Sequence, residues 1–231
     1  MLRVFGVEKG AMDMIPSNGL LVCNHLSYLD VLLLASQTPC VFVAKSEVRN
    51  WPVFGWFARL AGTVFVQREK RSQTAQATNE IAGALQSNVL VVLFPEGTSS
   101  GGETVLPFKS SLLEPATGQA HPVTAGFIAY DLADGNVSEE VCYWKDMILV
   151  PHLINLLSKE KIGASVRFTR FRQGSPNRKE LARVLHSEVL RLKESSSHTT
   201  IQDCIGEGLL KEFHRAVSVL DLISAPSRGQ N

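Results

Sequence analysis

Val89-Leu90-Val91-Val92-Leu93-Phe94 is an unbroken apolar run that stops at Pro95-Glu96-Gly97, and its reading decides the fold. Six apolar residues without polar alternation describe a strand buried on both faces, as in a parallel sheet covered by helices. Pro95 cannot donate to a sheet ladder and closes the strand, while Gly97 permits backbone conformations closed to other residues. Working outward, residues 20–23, 41–44, 63–66, 123–129 and 162–168 read as further strands. Residues 28–35, 51–61, 72–86 and 177–193 read as helices, with Pro52 suited to a first helical turn and Ala77, Ile81, Ala84 and Leu85 along one side of the third. Strands alternating with helices of this length predict an α/β fold, a single domain with a largely parallel central sheet flanked by helices.

That domain is expected to span residues 1–194. Residues 195–231 read as a Ser/Thr linker, an amphipathic helix and a frayed tail. In the helix Ile201, Ile205, Leu209, Phe213, Val217 and Leu220 step by four and then three. It packs on the protein itself, on a membrane or on a partner helix. The 231 residues carry a formal net charge of +1 and are 45% hydrophobic and 19% charged. That is a globular composition with no general affinity for nucleic acid. The four cysteines stand alone, with no C-x-x-C pair and no metal-ligand spacing, so no metal is expected. No signal peptide is evident, which points to reduced thiols in a cytosolic setting. No apolar run approaches the roughly 18 residues that span a bilayer. The aromatic stretch at 51–57 is a candidate surface anchor, or else core.

Chemistry concentrates in Asn24-His25-Leu26-Ser27-Tyr28-Leu29-Asp30, just past the first core strand. Ligands of open α/β sheets bind beyond the carboxyl ends of the strands. On an unbroken helix, residues five apart diverge, because each residue turns about 100°. His25 and Asp30 meet only if His25 lies in a turn and the helix begins after it, and Ser27 is a suitable N-cap for that. Asp30 would then accept the Nδ1–H of His25 and leave Nε2 as a general base. The same spacing also suits a purely local capping box. Arg68 follows the strand at 63–66, where a fixed cation can grip a phosphate, although Lys70 and Arg71 beside it also suit a solvated surface. Glu96 needs a hydroxyl, a backbone group or Arg68 as partner. Lys109, in Leu106-Pro107-Phe108-Lys109-Ser110-Ser111, stands at an expected helix start, or is an ordinary surface lysine.

These elements, in this order, resemble the 1-acylglycerol-3-phosphate acyltransferases, a family of glycerolipid acyltransferases with an N-H-x4-D signature. Asn24-His25 with Asp30 matches the first motif, residues 62–68 the second, residues 94–99 with Phe108-Lys109 the third, and His121-Pro122-Val123 the fourth. The resemblance implies the glycerolipid acyltransferase fold and a reaction without cofactor or covalent intermediate. His25, oriented by Asp30, would deprotonate the free hydroxyl of a lysophospholipid, and the alkoxide would attack acyl-CoA or an acyl-carrier protein thioester. Arg68 and Lys109 would hold the phosphate, with Glu96, Gly97 and Thr98 shaping the acceptor site. The expected product is phosphatidate, made peripherally at the cytoplasmic, inner face of a membrane. A lyso-aminolipid is the alternative acceptor. Two competing readings differ in class. Gly97-Thr98-Ser99-Ser100-Gly101 matches the nucleophile elbow of a Ser99 thioesterase or esterase, but no helix is expected after it. A non-catalytic lipid-binding protein would have no use for a positioned base.

Overall fold

A computed structural model of the chain describes residues 6–50, 55, 58, 63–66, 71–117, 121–171 and 177–196. The chain divides into two compact units, Met1–Leu192 and Lys193–Asn231. Sheet, core and site belong to the first; in the second, residues 193–196 are helical. Arg68 and the amphipathic segment 201–220 lie outside the described residues, as does the aromatic stretch 51–57 except Gly55.

In chain order the described elements are β1 (Val7–Met12), β2 (Gly19–Cys23), α1 (Tyr28–Ala35), β3 (Cys40–Lys45), β4 (Val64–Val66), α2 (Arg71–Gln86), β5 (Leu90–Leu93), β6 (Val123–Leu132), α3 (Val137–Glu140), α4 (Leu149–Leu157), β7 (Ile162–Phe171) and α5 (178–196). The apolar run at 89–94 contains β5, buried at all four positions, and β2 beside it is buried at all five. Alternation along β2 feeds two cores. Leu20 and Val22 face one side with Ile81 and Leu85 of α2 and Leu185 and Val189 of α5. Leu21 and Cys23 face the other with Leu29 and Leu33 of α1 and Leu156 of α4. A strand packed on both faces has no solvent side to show a polar residue, which is why its sequence does not alternate.

The strands form one seven-stranded sheet in the order β1-β7-β6-β2-β5-β3-β4. β2 to β6 are mutually parallel, so the α/β fold with a largely parallel sheet is observed. One end departs from it. β7 is antiparallel to β6 from Val123 opposite Phe171 to Leu132 opposite Ile162, and β1 runs parallel to β7. Residues 133–161 carry α3 and α4, yet leave and re-enter the sheet at the same end. The connection is therefore a hairpin rather than a crossover. The helix expected from 106–111 is instead a pair of 3-10 turns, Ser110–Leu112 and Glu114–Ala116. A helix continuing from Ser110 would need an N–H from Pro115, which has none.

Candidate active site

The site grows from the end of β2. The strand pairs with β6 up to Cys23, opposite Gly126. At the next residue the backbone turns away and the Asn24 side chain takes over the ladder. Its Nδ2 donates to the Ile128 carbonyl at 2.9 Å and its Oδ1 accepts the Ile128 N–H at 2.7 Å. The carboxamide thus satisfies the two groups on β6 that a further strand residue would have bonded. The freed backbone carries His25 off the sheet, and Ser100 N–H binds the His25 carbonyl at 3.0 Å.

α1 begins at Tyr28 with Ser27 as its N-cap, so His25 lies in the turn. His25 Nδ1 is 2.7 Å from Asp30 Oδ2. Oδ2 also accepts the N–H of Leu26 at 2.7 Å and of Ser27 at 3.1 Å. Tyr130 OH donates to the other oxygen, Oδ1, at 2.8 Å. Asp30 therefore fastens the turn and meets the histidine at once. The Ser27 hydroxyl, fully buried, has no hydrogen-bond partner among the described residues. A carboxylate can only accept, so Nδ1 of His25 carries a proton, and in the neutral ring Nε2 holds the lone pair. The imidazole stacks on Phe94, centroids 4.3 Å apart and planes 18° from parallel.

Glu96 belongs to the turn after β5 and is 2% exposed. Its Oε1 accepts His25 N–H at 2.8 Å and its Oε2 accepts Leu106 N–H at 2.9 Å. Among the described residues its partners are backbone groups, while Arg68 lies outside them. Burial pushes its carboxyl up to about 7, against the two backbone bonds and the nearby His25, which favour the charged form. Gly97 holds φ at 75°, a left-handed value that glycine adopts without strain.

His25 opens on a cleft of about 330 Å³ whose wall includes Tyr28, Phe42, Phe94, Tyr143 and Trp144. Gly97 and Thr98 line it, and so do two lysines that sequence reasoning did not select, Lys45 and Lys145. Lys145 holds its ammonium 3.8 Å from the centroid of the Trp144 ring. Lys109 is exposed and does not line the cleft, and its N–H donates to the Pro95 carbonyl at 2.9 Å. The Ser99 hydroxyl, which also faces the cleft, donates to the Tyr143 carbonyl. Turns rather than a helix follow it, so the strand-turn-helix context of a nucleophile elbow is missing.

A second histidine supports the wall. Tyr28 OH and His152 Nδ1 are 3.0 Å apart, and His152 Nε2 is 3.0 Å from the Cys142 carbonyl. Nε2 must donate to the carbonyl, so Nδ1 accepts from the tyrosine, and burial lowers the pKa of the ring. Asn24 was legible as part of a motif but not by its role. Tyr130 and His152 carried no local signal, because their partners lie 100 and 124 residues away.

A histidine held by a carboxylate, beyond the carboxyl end of a central parallel strand and with no hydrogen-bond partner at Nε2 among the described residues, has the geometry expected of a general base. The chain belongs to the Acyltransferase family, whose model matches residues 7–125, and it is an acyltransferase. It is 40% identical over 195 residues to a lyso-ornithine lipid O-acyltransferase of Brucella abortus, an alignment spanning 77% of this chain and 72% of that protein. It is 33% identical to a 1-acyl-sn-glycerol-3-phosphate acyltransferase of Neisseria gonorrhoeae, over 71% of this chain and 64% of the relative. The fold matches the crystal structure of PlsC, the 1-acyl-sn-glycerophosphate (LPA) acyltransferase of Thermotoga maritima. The TM-score is 0.53 at 25% identity, over 81% of this chain and 72% of that one.

Proposed function

We propose that this chain transfers a fatty acyl group from acyl-CoA or an acyl-carrier protein to the hydroxyl of a lysolipid, with His25 as general base. One observation carries the reading: a histidine whose Nδ1–H is held by buried Asp30 while Nε2 has no partner among the described residues, in the wall of the cleft. Nε2 takes the acceptor's hydroxyl proton as the oxygen attacks the thioester carbonyl. The tetrahedral intermediate collapses with loss of the thiolate, and the imidazolium returns its proton to the sulfur. Asp30 keeps the ring in the required tautomer and stabilises the imidazolium between the two steps.

Identity to the Brucella protein, spread over most of both chains, makes a lyso-ornithine lipid the first acceptor to test. Its amino-acid head group bears a carboxylate, which Lys45 and Lys145 in the cleft complement. The same two cations suit a phosphate. Together with the likeness to the Neisseria and Thermotoga proteins, they keep lysophosphatidate as the second reading. Either substrate resides in a bilayer, so the reading has the protein work at a membrane surface, on the side where acyl thioesters are made. Among the described residues no helix is long and apolar enough to cross a membrane.

The test is free thiol release from acyl-CoA by the purified protein, with and without each acceptor. Release that requires the acceptor, with the acylated lipid formed, is the expected result. Release without acceptor would favour a thioesterase and return attention to Ser99. No release with any acceptor, from acyl-CoA or from acyl-carrier protein, would defeat the reading.

A further inference from the structure

The fourth partner of Asp30 carries an inference of its own. Leu26 N–H, Ser27 N–H and His25 all converge on Oδ2. Oδ1 has Tyr130 OH as its hydrogen-bond partner among the described residues, with both side chains buried. Oδ2 lies off the Cβ–Cγ axis, so its three bonds already resist rotation of the carboxylate, and what Tyr130 adds is a donor on the second oxygen. We propose that Tyr130 is a positioning residue for the reaction: by donating to Asp30 Oδ1 it draws charge from the carboxylate and sets the basicity of His25.

The sign follows from simple electrostatics. A donor to Asp30 draws negative charge away from the atom that faces His25 Nδ1–H. Removing the hydroxyl strengthens the pull of Asp30 on the imidazolium, so His25 holds its second proton more tightly and is a free base over a smaller pH range. Among the described residues, the titratable groups that bond to His25 or line the cleft with it are Asp30 and Tyr28 from α1, Glu96 after β5, Lys45 from β3, and Tyr143 and Lys145 before α4. Cys23 and Cys142 lie near Asp30, and burial holds both thiols protonated. Glu96 titrates in the same range as a histidine, so a kinetic pH profile alone would mix the two. His25 must be followed at its own nitrogens.

The experiment is Tyr130→Phe in the full chain. Tyr130 lines a second cavity, of about 290 Å³, and phenylalanine keeps the ring in that wall, so the hydroxyl alone is lost. Nitrogen-15 NMR of histidine-labelled protein, with the His25 signal assigned by its loss in His25→Ala, should show the His25 pKa raised by about half a unit to one unit. Replacing Tyr130 alone with 3-fluorotyrosine, a more acidic phenol and stronger donor, should move it the other way. If Tyr130→Phe does not fold, the fluorotyrosine protein decides by itself. A His25 titration unmoved by the replacement made would overturn the proposal.

The kinetic readout rests on the acyl-transfer reading. There kcat at pH values below the His25 pKa should fall by about three- to tenfold with little change in the lysolipid KM. Loss of stability with kcat and His25 titration unchanged would make Tyr130 merely structural. Shifts of the expected sign in a protein that transfers no acyl group would uphold the positioning role and defeat the function, so the two fail separately.

Discussion

The turn at 24–30 and the loop at 103–111 meet at Glu96, whose two oxygens bind one backbone N–H from each, and they are built in opposite ways. In the turn, side chains do the fastening. Asn24 grips β6 with both ends of its carboxamide, and Asp30 accepts from two backbone N–H groups, a tyrosine and the histidine. In the loop the backbone is tied by Leu106 N–H and Lys109 N–H, while Glu103, Thr104, Pro107 and Lys109 are exposed. A proton-transfer group must be held to a fraction of an ångström. A solvated side chain such as Lys109 carries no such demand.

Substitutions should separate the two regions, in descending order of effect. His25→Ala, measured by acceptor-dependent thiol release, should lower kcat by roughly 10²–10⁴-fold with the fold intact; activity within about threefold of the native protein would end the general-base assignment. Asp30→Asn puts an amide against the turn and disturbs the tautomer of His25. A loss on the order of 10²-fold or more in kcat is expected, with a lower melting temperature because buried donors lose their anion. An unchanged kcat would show that His25 needs no partner.

Glu96 sharpens the comparison because it serves both regions. Its carboxyl titrates at about 7 in the fold against 4.5 as the ordinary value, so between those values the folded state binds more protons than the unfolded state. Its contribution to stability is full below pH 4.5 and is lost as pH rises to and through 7. Denaturant midpoints of Glu96→Gln should vary less with pH across that window than those of the native protein, and equal slopes would remove Glu96 as the cause. At the small end, Lys109→Ala should change kcat and KM by less than about threefold, as expected of a solvated lysine. Lys45→Ala, at a residue in the cleft wall, should raise the acceptor KM several-fold. A large effect at Lys109 would mean that the loop folds onto the substrate and that its exposure does not describe the bound state.

Much of the frame was legible from local pattern. The apolar runs at 20–23 and 89–94 announced strands covered on both faces, and the Ser27 cap required His25 to lie outside α1, which is what lets Asp30 reach it. Other elements left no such trace. Val7–Met12 pairs with β7 as an edge strand, yet Glu8, Lys9 and Gly10 interrupt its apolar pattern. α4 sets Pro151, His152 and Asn155 on one side and its apolar residues on the other, yet it buries His152 and leaves Val150, Ile154 and Leu157 exposed, so burial does not follow its pattern.

By itself, then, the sequence determined which residues are strands and helices at the centre of the domain, and that His25 and Asp30 are able to meet. Both follow from spacing along a few residues of chain, where the geometry of a helix or strand is fixed by the backbone. Only the tertiary structure decided the antiparallel turn of β7, the grip of Asn24 on β6, the backbone partners of Glu96, the hydroxyl of Tyr130 behind Asp30, and the choice of Lys45 and Lys145 rather than Lys109 for the cleft. Each joins groups far apart in the chain, and which distant groups meet is set by how whole elements pack, a quantity that no short stretch of residues contains.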